Sequence, residues 1–114
     1  MATLPAYTLD KKLLSQLVGA METVSIHSDA KGAPESTPQG LQQIWKCSDA
    51  GGQLFVLWAT ELCDGNALHL PPGTVYLEVW PREKNAAKRK PREVSAALVR
   101  LDQALVRIGG KRHR

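Results

Sequence analysis

Apolar residues recur along this chain with two periods, and each change of period marks an element. Leu9, Leu13, Leu17, Ala20 and Met21 repeat every three or four residues, which predicts one face of a helix from Leu9 to Met21. Thr8 stands just before them as an expected N-cap, because its hydroxyl oxygen can accept a bond from an orphan backbone N–H. The β-branched and alternating residues of "TVSIHS", 23–28, predict a short strand, and "DAKGAPESTPQG", 29–40, predicts a long loop.

Two strand-like runs come next, "LQQIWKCS" and "QLFVLWATEL", with the turn signal "DAGG" between them. In the second run Leu54, Val56, Trp58 and Leu62 are expected on one face and Phe55, Leu57 and Ala59 on the other. Apolar residues on both faces predict a central strand covered on each side. The protein's own helices can cover one face, and a partner chain is a candidate for the second. Trp45 and Trp58 are assigned to the core.

"CDGNALHLPPG", 63–73, has the composition of a loop, and "TVYLEVW", 74–80, alternates cleanly. Val75, Leu77 and Val79 point one way, and Thr74, Tyr76, Glu78 and Trp80 the other. Val94, Ala97, Leu98, Leu101, Leu105 and Ile108 then form a second helical stripe, with Pro91 suited to its first turn and Gly109-Gly110 to its stop. The expected fold is a single α+β domain over residues 1–110, in the order α-β-β-β-β-α. An antiparallel sheet of three to four strands is flanked by an N-terminal and a C-terminal helix. Residues 82–92 are expected as a basic loop and 111–114 as a basic tail.

A length of 114 residues, 43% hydrophobic and 23% charged, suits one compact domain with a single core and is ordinary for a soluble globular protein. The longest apolar run is too short to span a bilayer, and "MATLPAYTLDKK" has no secretory pattern. With only Cys47 and Cys63, the expectation is a reduced cytoplasmic compartment. The segment "KRKPR" also fits a nuclear-localisation patch, which makes the nucleus the alternative in a eukaryote.

Charge changes the picture more than composition does. The net charge of +4 divides into −4 over residues 1–81 and +8 over 82–114, an acidic body with a basic C-terminal third. Lys84, Lys88, Arg89, Lys90 and Arg92 lie at the start of the last helix, Arg100 and Arg107 along it, and Lys111, Arg112 and Arg114 beyond it. That arrangement suits a phosphate backbone, whose neutralisation releases counterions. Trp80 leads into the basic loop and is a candidate for base stacking. The competing reading is a set of solvated charges on an exposed loop, helix and tail.

A helix, an antiparallel sheet and a last helix preceded by the lysines of "KNAAKRK" resembles double-stranded-RNA-binding domains in element order. Pro91, an additional strand and longer loops depart from that order, and the resemblance implies no family membership.

No phosphate-binding loop, dinucleotide fingerprint or nucleophile elbow is present, so no enzyme activity and no cofactor are expected. His27, His69, Cys47 and Cys63 are scattered singly, without the paired spacing of a metal site, and Cys63 is expected to be buried and inert. The function expected is therefore that of a small non-enzymatic nucleic-acid-binding protein contacting RNA or DNA through its basic third, away from any membrane. The alternative is a protein-interaction module, an assembly subunit, adaptor or inhibitor that offers the second apolar face of strand 54–62 to a partner or a second copy.

Overall fold

The computed structural model describes residues 4–113. The protein is α+β, with a seven-stranded antiparallel sheet where three to four strands were expected. The strands are β1 (Ala6–Asp10), β2 (His27–Ala30), β3 (Glu35–Thr37), β4 (Gly40–Asp49), β5 (Gly52–Leu62), β6 (Thr74–Trp80) and β7 (Lys111–His113). The sheet runs β2-β4-β5-β6-β1-β7, with β3 also paired to β4. The helices are α1 (Leu17–Glu22) and α2 (Pro91–Arg107).

The expected first helix divides into three pieces. Tyr7 and Leu9 are buried and alternate with less buried Ala6 and Thr8, so residues 6–10 form β1 between β6 and β7. Asp10, and not Thr8, is the cap. Its carboxylate accepts from the Lys12 N–H at 2.9 Å and opens a 3-10 turn, Lys11–Gln16. Only from Leu17 is the chain α-helical, and it buries Leu17, Ala20 and Met21. The helix closes on Ser25, which takes a left-handed φ of 64° while the Ile26 N–H donates to the Met21 carbonyl at 2.9 Å. This closure delays the expected strand at 23–28 to His27.

The loop expected at 29–40 contains β3, and the tail expected at 111–114 contains β7. Both strands are three residues long and carry no strand pattern of their own. A neighbour with free edge groups captures each of them: β4 for β3 and β1 for β7.

The β4–β5 hairpin forms as expected, with one irregularity that changes its faces. The register moves from Cys47↔Phe55 to Ser48↔Gln53, so Leu54 is an extra residue in β5. The bulge turns Leu54 toward the core with Phe55, away from the face it was expected to share with Val56 and Trp58. Tyr7, Leu9, Leu57, Leu77, Met21, Leu101 and Leu105 complete that core beneath the helices.

α2 follows its predicted stripe. Ala97, Leu101 and Leu105 are buried, Val94, Leu98 and Ile108 partly so, and Gly109 ends it at φ 102°. Glu93 accepts the Lys90 backbone N–H at 3.1 Å and fixes the start. Among the described residues no helix is long and apolar enough to cross a membrane.

Candidate nucleic-acid interface and the open face of the sheet

The helices cover one face of the sheet. The register places Gln42, Ile44 and Lys46 of β4, Val56, Trp58 and Thr60 of β5, and Tyr76, Glu78 and Trp80 of β6 on the other. Lys111 and His113 of β7 share that second face with Thr8 and Ala6 of β1. Trp58, expected in the core, lies here, and its ring stacks on Trp80 with centroids 4.5 Å apart. Trp45 is partly buried against the core. The two indoles and their surroundings leave Val56 and Leu62 buried. The second apolar face of β5 is therefore largely covered by this chain's own side chains.

The basic third is sorted into two sets by its contacts. Arg89 is structural: its side chain is 5% exposed and donates to Asp49 at 2.8 and 3.2 Å and to the Gly52 carbonyl at 2.8 Å. The guanidinium holds the Asp49 carboxyl below the usual carboxylate range. Arg100 donates to the Val24 carbonyl at 2.9 Å and approaches Asp49 at 4.0 Å. Arg112 donates to Asp102 at 3.1 Å and lies over the Tyr7 ring. Asp102 also accepts from the Tyr7 hydroxyl at 2.9 Å, so this cation locks β7 and β1 to α2.

Lys84, Lys88, Lys90 and Arg92 are exposed and form no ion pair among the described residues. The same holds for Arg107 and Lys111, at the far end of α2. Seventeen residues of helix span about 25 Å, so the two ends are separate patches and not the continuous row expected along the helix. Arg114 lies outside the described residues.

The loop carrying Lys84 and Lys88 is tied at both ends. Glu83 receives Lys31 at 2.9 Å and Gln53 at 3.0 Å, with Lys46 at 3.5 Å, on the open face. Hydrogen bonds from Gln53 and Lys31 pull its carboxyl down to about 2. Arg89 makes the second tie, on the helical side. Residues 84–88 thus project from the end of the sheet between two fixed points, close in sequence to Trp80, which is 41% exposed.

The other end of the open face holds a cleft of 490 Å³ between β5, β6, the β3–β4 turn and the loop at 63–73. Asn66 fixes that loop: its side chain donates to the Cys63 and Leu70 carbonyls, both at 2.8 Å, and accepts from Leu68 and Leu70. Gln39 accepts the Ala67 N–H at 2.7 Å and ties the loop to the turn.

Sequence reasoning did not find Lys31, Lys46, Trp58 or Glu78. The Lys31–Glu83 contact joins residues 52 apart in the chain, and no local pattern signals it. Trp58 and Glu78 face each other only in the β5–β6 register. Cys63 is exposed, against expectation, whereas Cys47 is buried and its thiol is pushed up to about 12 by burial. Among the described residues no three His, Cys, Asp or Glu side chains come together as metal ligands.

The fold and the two ends of the open face define a two-layer α+β protein with a basic loop at one end of its sheet and an aromatic cleft at the other. The chain matches no protein-family model, and no curated protein or solved structure matches it significantly.

Proposed function

We propose that this protein binds nucleic acid without catalysing a reaction, holding the phosphate backbone at the basic loop and first turn of α2. The observation that carries the reading is the exposure of Lys84, Lys88, Lys90 and Arg92 without an ion pair among the described residues, in the segment that exposed Trp80 leads into. These cations crowd the positive end of a helix dipole, where they oppose helix stability and favour a bound anion. Trp80, stacked on Trp58 through one ring face and still 41% exposed, leads into that segment and offers an apolar surface suited to an unpaired base. Arg89, Arg100 and Arg112 hold the scaffold in this reading, and Arg107 and Lys111 form a second patch that a longer strand reaches.

The test is binding to labelled single- and double-stranded RNA and DNA across a salt series. It is run beside a variant carrying Lys84→Gln, Lys88→Gln, Lys90→Gln and Arg92→Gln. Each lost phosphate contact lowers the slope of log affinity against log salt by about 0.7 for single strands and about 0.9 for duplex. The four changes are therefore expected to reduce the slope by about 3. An unchanged slope refutes the assignment.

A protein partner is favoured by a different observation. Val99 and Val106 are both 58% exposed and lie seven residues apart on the outer side of α2. Absence of oligonucleotide binding at low salt moves the reading to that helix face.

A further inference from the structure

We infer that the cleft at the end of the open face is a binding site for a small organic cation, an ammonium or guanidinium group on an apolar body, seated between Trp58, Tyr76 and Glu78. The inference does not rest on the nucleic-acid reading, although the cleft adjoins Trp80, whose ring stacks on Trp58 at its wall.

Four residues at two adjacent strand positions form the floor. Thr60 pairs with Tyr76 and Trp58 with Glu78 across β5 and β6, all four on the open face. Directly opposite side chains on such strands are close neighbours, with Cβ atoms about 5 Å apart. Two aromatic rings and a carboxylate therefore share one wall. Ring faces attract cations through their quadrupole, and a carboxylate supplies the counter-charge. Leu62 and Leu68 add apolar lining suited to a hydrocarbon body.

Glu78 finds no partner for its charge among the described residues. Its carboxylate accepts no hydrogen bond and meets no cation among the described residues, and burial alone raises its pKa. The neighbouring positions do not answer it. Its partner on the β1 side is Ala6; His113 beyond it packs edge-on to Tyr76 and forms no ion pair with Glu78, and Lys46, two positions from the Glu78-facing Trp58 row, is engaged by Glu83. A half-buried carboxylate kept beside aromatic rings in a cleft is stabilised by an incoming cation and repelled by an anion. The cleft's 490 Å³ lies within the range of small-molecule sites. Asn66 and Gln39 hold the rim in place before any ligand arrives, which reduces the ordering that binding costs.

The test compares three probes of similar size on the full chain: benzyltrimethylammonium, benzyl alcohol and benzenesulfonate. Binding is followed by amide and indole chemical shifts. The expected result is shifts centred on Trp58, Thr60, Tyr76 and Glu78. The cation should bind at least about tenfold tighter than the alcohol, and the sulfonate weakest. Glu78→Gln should remove most of that preference and leave the alcohol unaffected. Equal affinity for cation and alcohol, shifts centred elsewhere, or a preference that survives Glu78→Gln overturns the inference. The ranking and shift map on the unaltered protein decide it even where the variant does not fold.

Discussion

Replacing Arg89 with alanine should unfold the protein more readily without acting mainly on its ligand. Arg89 gives two charge-assisted bonds to Asp49 and a third to the Gly52 carbonyl from a side chain only 5% exposed. Breaking a fully buried ion pair by removing one partner costs about 3–5 kcal/mol. Asp49 is not fully buried: a quarter of its side chain remains exposed, it keeps the Gly51 N–H at 2.8 Å, and Arg100 stands at 4.0 Å. Those contacts place the expected loss below that range, at about 2–3 kcal/mol. In urea unfolding, with a slope of about 1–3 kcal/mol per molar, the midpoint should fall by about 0.7–3 M. Arg107→Ala is the control, an exposed cation with no ion pair among the described residues, and should change stability by less than about 0.5 kcal/mol. An Asp49→Asn, Arg89→Ala double variant should lose less than the two single changes together, because they share one interaction. A stability loss for Arg89→Ala no larger than that for Arg107→Ala refutes the structural assignment and returns Arg89 to the contact surface.

Alkaline pH and one glycine test other parts of the same frame. Burial, reinforced by the Asp102 carboxylate that its hydroxyl bonds, pushes the Tyr7 phenol up to about 12. A folded pKa above the ordinary value near 10 means that Tyr7 stabilises fully below pH 10 and that its contribution is lost as pH rises toward 12. Two units correspond to about 2–3 kcal/mol, so the stability difference between the wild type and Tyr7→Phe should shift by that amount between pH 9 and 12. A difference constant over that range refutes the coupling. Gly40 opens β4 at φ 140°, and a Cβ there meets the Glu61 carbonyl oxygen directly. Gly40→Ala should therefore cost roughly 3 kcal/mol or more, read from the urea midpoint. A loss below about 1 kcal/mol would show that the β4–β5 register gives way easily.

Local pattern determined much of this protein. The alternation from Thr74 to Trp80, the turn at "DAGG" and the stripe from Val94 to Ile108 each appear where the period placed them, because each element's own side chains select its buried face. The segregation of charge was equally legible, since counting needs no coordinates. The start of the chain was not. Leu9, Leu13 and Leu17 satisfy a helix spacing while Tyr7 and Leu9 satisfy a strand spacing, and the free edge of β6 resolves the conflict by pairing with β1. Tertiary structure alone also separated the cations into those that hold the fold and those that face solvent. Arg89 and Lys88 are adjacent and chemically alike in sequence; Asp49 and Gly52, 40 and 37 residues away from Arg89, distinguish them. The cleft has the same origin. Trp58, Tyr76 and Glu78 belong to one site because antiparallel register sets which residues face each other across strands, and that pairing is a long-range property that no short window of sequence contains.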